Sequence, residues 1–177
     1  MELPMVKAYI FASCDTGSDE YVVTRLKEIE EVKEAHGIFG TYDAVAILEA
    51  EDGEKLKEVV KKIRKISKIR ATFTLMISPK IKFRRELSSS EKNVLSTYMS
   101  HAYVLIHCSK NDDEKILNQL SDIPEVIQGD IVIGQYEIIC KVSAPVFTSI
   151  SKIITNKIRK IGNIKSTVTL NIISENE

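Results

Sequence analysis

Lys7-Ala8-Tyr9-Ile10-Phe11-Ala12-Ser13-Cys14 returns 94 residues later as His101-Ala102-Tyr103-Val104-Leu105-Ile106-His107-Cys108. The same offset pairs Leu26 with Leu120, Ile29 with Ile123, Glu31-Val32 with Glu125-Val126, Gly40 with Gly134 and Tyr42 with Tyr136. Further on, Ile63-Arg64-Lys65-Ile66 recurs as Ile158-Arg159-Lys160-Ile161, and Thr72-x-Thr74-Leu75 as Thr167-x-Thr169-Leu170, now at an offset of 95. One residue has therefore entered the second copy near its second helix. Self-similarity at a fixed spacing marks a repeated structural unit. Two units are expected, 5–78 and 101–174, joined by a 22-residue segment, 79–100.

Within a unit, residues 7–14 alternate as a strand, yet both faces are apolar: Ala8, Ile10 and Ala12 against Tyr9 and Phe11. Such a strand belongs in a sheet covered on both sides. Ser18-Asp19-Glu20 opens a helix, its acids favoured by the positive end of the dipole, and Val22, Leu26 and Ile29 form its apolar stripe. In the second unit Asn111 with Glu114 three residues on reads as a capping box before Ile116, Leu117, Leu120 and Ile123. Two strands, 32–39 and 43–50, meet at Gly40-Thr41-Tyr42-Asp43. Leu56, Val59, Val60, Ile63 and Ile66 recur at helical spacing, as do Phe147, Ile150, Ile154, Ile158 and Ile161. Residues 71–77 and 166–173 close the units as Thr-, Val-, Phe- and Ile-rich strands.

The order is βαββαβ, and its natural packing is an antiparallel sheet with both helices on one face. About 74 residues with helices on one face make a marginal core. Tyr9, Phe11, Tyr103 and Leu105 would otherwise face water, so sheets packing face to face, between units or between chains, are expected. The fold class is α+β, two tandem ferredoxin-like modules of the dimeric α+β barrel type.

Equal numbers of basic and acidic residues, 25 each, leave no net field for nucleic acid or an anionic membrane. No apolar run approaches the roughly 18 residues of a membrane span, and the N-terminus lacks the basic and apolar regions of a secretion signal. Cys14, Cys108 and Cys140 form no C-x-x-C pair, which suits a reducing cytoplasm.

Three local sequences carry a resemblance to a known family. They are Val32-Lys33-Glu34-Ala35-His36-Gly37-Ile38-Phe39-Gly40-Thr41-Tyr42-Asp43, the acidic Glu51-Asp52 before the second helix, and Ile66-x-x-Ile69-Arg70-x-Thr72-x-Thr74. In order and spacing they resemble the effector-binding domain of the Lrp/AsnC transcription regulators, and both units show it. The second copy departs at Glu137, where the family has Asp, and at Pro145-Val146, where it has acids. The resemblance implies a ferredoxin-like module that pairs through its sheet, assembles into higher rings, and binds an amino acid or similar effector at contacts between dimers. Regulators of this family place a helix-turn-helix before the module. Here the first strand begins within about six residues of Met1, so direct DNA binding is not expected.

The Gly40-Thr41-Tyr42-Asp43 loop is the leading candidate site. Glycine lets the backbone turn N–H groups toward a ligand carboxylate, and Asp43 is suited to an ammonium. Thr72 and Thr74 share one face of the last strand and offer hydroxyls. The second-copy counterparts are Gly134, Gln135, Tyr136, Glu137, Thr167 and Thr169. The plain alternative is a structural hairpin, with Gly for the turn, Tyr for packing and Asp for a local bond. Cys14 and Cys108, with His107 beside the latter, could hold a soft metal, but no zinc-type spacing accompanies them, and buried cysteines are the simpler reading. His36 and His101 could report pH or be structural. Lys80-Ile81-Lys82-Phe83-Arg84-Arg85 lies in a segment with five basic and two acidic residues. That block could touch phosphate, or be an exposed strand or linker docked by Ile81 and Phe83. Ser88-Ser89-Ser90-Glu91 reads as the cap of a short helix, 91–98.

No phosphate-binding loop, nucleophile elbow, zinc-protease or dinucleotide motif occurs, and no cofactor or metal is expected. The expectation is a non-enzymatic, cytoplasmic sensor of an amino-acid-like effector, acting by association with itself or with helix-turn-helix-bearing relatives. Two alternatives stand beside it. One is a structural or interaction protein with a degenerate pocket. The other is an enzyme on a dimeric α+β barrel with Asp43 or His36 as base.

Overall fold

The computed structural model describes residues 5–173, apart from the side chains at 80, 81, 96 and 98. Ile81, expected as an anchor of the connecting segment, and Ser174, expected to end the second module, lie outside the described residues. The chain divides into two units, Met1–Ile77 with Ile173–Glu177, and Ser78–Ile172.

The first repeat runs β1 (Val6–Cys14), α1 (Asp19–Lys27), β2 (Val32–Phe39), β3 (Ala44–Ala50), α2 (Gly53–Arg64) and β4 (Ile69–Arg84). After α3 (Ser89–Tyr98), the second runs β5 (Ser100–Cys108), α4 (Asp113–Ser121), β6 (Val126–Ile133), β7 (Ile138–Ala144), α5 (Phe147–Ile153) and β8 (Ile164–Ile172). All pairings within each unit are antiparallel. They give the order β4-β1-β3-β2 in the first sheet and β8-β5-β7-β6 in the second. Each is the expected ferredoxin-like module, with its first strand central.

Helix starts follow the local chemistry in part. The Asp52 side chain accepts from Lys55 N at 2.8 Å, capping α2. Ser88 and Glu91 form a complete capping box, and α3 begins at Ser89, two residues before the expected 91. The expected Asn111–Glu114 box is not there. A 3₁₀ turn, Lys110–Asp112, precedes α4, and Glu114 N donates instead to Asp113 Oδ1 at 2.7 Å. Asp113, next to Glu114, offered a nearer acceptor than Asn111 could.

One sheet face and the two helices form the core of each unit. In the first, Ala8, Ile10 and Ala12 pack with Val22 and Leu26 of α1 and Leu56, Val59 and Ile63 of α2. In the second, Ala102, Val104 and Ile106 pack with Ile116, Leu117, Leu120, Ile150 and Ile158. Burial of each large aliphatic chain contributes about 1.5–3 kcal/mol, so this face outweighs the caps, worth about 1 kcal/mol each. The second face is also buried: Tyr9, Phe11 and Leu75 in the first unit, Tyr103, Leu105 and Ile139 in the other. Phe11 lies 5.6 Å from Phe73 and 5.9 Å from Tyr42, ring centre to ring centre, an aromatic cluster on the face away from the helices.

The change of offset from 94 to 95 has a physical form. Where α2 is a regular α-helix of 12 residues, α5 passes into a π-helical turn, Ile154–Ile158. A π-turn is how a helix absorbs one extra residue without rotating the residues beyond it. Ile158 is accordingly as buried as its counterpart Ile63, both at 0% exposure.

Residues past Ile77 do not leave the structure as a bare linker. They continue β4 to Arg84 and count with the second unit. Phe83 packs against Gly129 so closely that a Cβ there would lie 2.6 Å from its ring and 2.8 Å from Leu117. Arg84 Nη2 donates to both oxygens of Asp130, at 3.1 and 2.9 Å, and Asp130 is fully buried. Arg85 Nη2 donates to the carbonyls of Ser121, Ile123 and Val126 at 3.2, 3.0 and 2.9 Å, and Arg85 N donates to Ile127 O at 2.9 Å.

Cys14, Cys108 and Cys140 are free and buried. Burial first, then the negative charge of Glu137, Asp113 and Asp112, pushes Cys108 up to about 11, against the pull of Lys165. Burial alone pushes Cys140 up to about 12. Burial also raises Cys14, outweighing its hydrogen bond with Ser18.

Three outcomes are expected. Gly129→Ala should cost about 1–3 kcal/mol in urea unfolding, the range for overpacking, and the added cost should shrink in a Phe83→Ala background. Deleting the exposed Thr155 should convert the π-turn to α-helix and leave stability within about 1 kcal/mol, whereas deleting Lys61 from α2 should turn Ile63 out of its core and cost several. Because raised thiols hold little thiolate at neutral pH, iodoacetamide at about pH 7.5 should label the folded protein slowly and all three cysteines rapidly once urea unfolds it.

Candidate functional site

At the end of each central strand the pairing slips by one residue. The slip falls between Ser13 and Cys14 against β4, and between His107 and Cys108 against β8. A bulge takes an amide out of the ladder, and a buried amide needs another acceptor. The acid after the β2–β3 loop supplies it. Asp43 Oδ2 accepts from Cys14 N at 2.9 Å, while Asp43 N donates to Ala12 O and Ile38 N to Asp43 O, both at 2.9 Å.

The second copy repeats the arrangement with a longer acid. Glu137 Oε1 accepts from Cys108 N at 2.8 Å, Glu137 N donates to Ile106 O at 3.1 Å, and Val132 N to Glu137 O at 2.9 Å. The same Oε1 lies 2.7 Å from His107 Nδ1. Glu137 is buried, while the His107 side chain is 43% exposed.

These bonds fix the loop by its base and leave its tip in solvent. Gly40, Thr41, Gly134 and Gln135 are exposed, and Tyr42 and Tyr136 half-buried. Gly40 and Gly134 have φ of 144° and 151°, conformations open to glycine and strained for other residues. Tyr42 leans on Phe73, 5.5 Å away, and so joins the aromatic face.

The threonines lie elsewhere. Thr72 is in register with Ala12 and Thr74 with Ile10, so both sit on the helix-covered face, opposite the Tyr42 cluster. Arg64 Nε of α2 donates to Thr72 Oγ1 at 3.0 Å, and the Thr74 hydroxyl is buried without a hydrogen bond. Thr167 repeats this, accepting from Arg159 Nε at 3.0 Å, and Thr169 pairs with Val104 on the same face. The structure thus brings Gly40 to Asp43 together, and Gly134 to Glu137 together, but sets both threonine pairs on the far side of their sheets.

Other candidates are absorbed by the fold. Arg84 and Arg85 of the basic block are turned onto Asp130 and main-chain carbonyls within the second unit. His36 pairs with Glu34 at 3.1 Å. His101 bridges Ser143 Oγ, 2.5 Å from Nδ1, and Leu95 O, 2.8 Å from Nε2, tying α3 to β7. No group of three metal-ligating side chains occurs among the described residues. A shallow depression of about 280 Å³ lies at the opposite end of β3 from the loop, between Glu30, Glu31, Lys33, Glu49, Glu51 and Lys55. Among the described residues, no helix is long and apolar enough to cross a membrane.

The pairing of His107 with Glu137 escaped a reading that set His107 beside Cys108. Its signal lay in the repeat: at an offset of 94, Ser13 becomes His107 where Asp43 becomes Glu137. Two departures from the first copy meet at one carboxylate.

The chain is similar to the siroheme decarboxylase NirDL, with a TM-score of 0.74, 11% identity, and coverage of 94% of this chain and 70% of that one. An anthrone oxidase-like protein aligns with a TM-score of 0.56 and 7% identity over 96% of this chain and 91% of its own. At these identities the likeness is one of fold. A structure titled FFRP-DM1 is 32% identical over 42% of this chain and 100% of its own, with a TM-score of 0.40. No curated protein matches the chain. The expectation that the chain is not an enzyme is overturned by the first of these: a decarboxylase carries the same tandem fold, so the fold gives no ground for excluding catalysis. The description "Lrp/AsnC ligand binding domain" matches residues 7–87 and again 101–176, and the chain therefore belongs to the Lrp/AsnC ligand-binding-domain family, with two copies of that domain.

Proposed function

We propose that this chain is a cytoplasmic sensor of an amino-acid-like small molecule, of the Lrp/AsnC regulator type. Its signal passes through association with copies of itself or with helix-turn-helix-bearing relatives. The effector is held by the Gly40–Asp43 loop, with the Gly134–Glu137 loop as its counterpart.

The observation that carries this reading is the way the first loop is built. Asp43 is half-buried at the base of the loop; Oδ2 accepts from Cys14 N, and the carboxylate has a second oxygen suited to accept from an ammonium. Gly40, exposed with φ of 144°, adopts a conformation that suits glycine, and exposed loop N–H groups suit a carboxylate. A loop held rigidly at its base gives up little freedom on binding. Family membership supports the same assignment.

A thermal-shift series over the standard amino acids tests it. At about 100 times its Kd an effector adds about 2.7 kcal/mol, several degrees for units of this size. At least one amino acid should produce such a rise. Asp43→Asn keeps an acceptor for Cys14 N but turns an amide toward the ammonium, so it should fold with near-unchanged melting and lose about 1.5–3 kcal/mol of that stabilisation. A flat series for all of them would end the proposal.

A further inference from the structure

We infer that the second copy carries a binding site chemically distinct from the first, in which His107 Nε2, held by Glu137, accepts a hydrogen bond from the ammonium of a primary amine. The inference rests on the reading that these loops meet a small ligand, and it assigns the ligand chemistry of the second one.

The ring's orientation is set by its carboxylate partner. Glu137 Oε1 already accepts from Cys108 N, and a carboxylate only accepts, so the proton in the 2.7 Å contact belongs to His107 Nδ1. In the neutral imidazole the lone pair is then on Nε2. His107 makes no other bond with the described residues, and its side chain is 43% exposed, which leaves Nε2 open to a ligand's donor.

A purely structural role does not account for this. The strand-end amide needs one acceptor, and in the first copy Asp43 provides it with Ser13 as the neighbour. The extra methylene of Glu137 adds nothing to the bond with Cys108 N. It lets the same oxygen reach an imidazole that contributes nothing to the core. The local charge favours a cationic donor: Asp112, Asp113 and Glu137 are negative at this corner, with Lys165 the opposing positive group. Cys108, its thiol raised to about 11 by burial and these acids, holds little thiolate at neutral pH.

The test uses the full chain with ¹⁵N-labelled histidine, ethanolamine as probe and choline as control. Both probes are cationic alcohols, but choline has no N–H to donate. His107 should appear as the Nδ1–H tautomer, and ethanolamine should move its Nε2 resonance saturably while choline does not. Glu137→Asp restores the first-copy reach, keeping the Cys108 N bond and freeing the ring. It should abolish the response with the melting temperature unchanged. Asp43→Asn should leave the His107 response intact, which separates this inference from the reading of the first loop. An Nε2–H tautomer, equal responses to the two cations, or no response to ethanolamine would overturn the proposal.

Discussion

The candidate sites depend on one hydrogen bond made twice, from the amide that a strand-end bulge removes from its ladder to a carboxylate. Without it, Cys14 N and Cys108 N would be buried donors with no acceptor, at roughly 1–3 kcal/mol each. With it, the loop between β2 and β3, and its equivalent, is fastened to the central strand of its sheet. The exposed tip is thus fastened to a buried central strand of the unit.

Much of the fold was legible in sequence because the repeat supplied its own control. Tyr9 with Tyr103, and Phe11 with Leu105, had to be buried on a face that the unit's own helices could not cover, and they are. The step in offset near the second helix foretold an irregularity whose form, a π-turn at Ile154–Ile158, sequence could not specify. Capping was less legible. Asn111 and Glu114 matched a known pattern, but Asp113 took the Glu114 amide instead.

The site was legible only as a loop. Gly40 and Gly134 announced themselves because φ of 144° and 151° favours glycine. The threonines misled because strand alternation fixes which residues share a face but not which face the helices cover; the register of Thr74 with Ile10 decides it. The basic block was legible as a strand docked by Phe83, but not in the partners of its charges. Its charge could be counted, whereas its partners, Asp130 and three carbonyls between the end of α4 and the start of β6, lie about forty residues on.

The continuation of β4 through Arg84 separates two boundaries that usually coincide. The sequence repeat restarts near residue 100, but the folded second unit begins at Ser78. A half-protein cut at that restart would lack Phe83 over Gly129 and would strand the buried Asp130 carboxylate without its guanidinium. Division at the repeat boundary would therefore not give an intact second module, because that unit depends on residues that precede its own copy of the repeat.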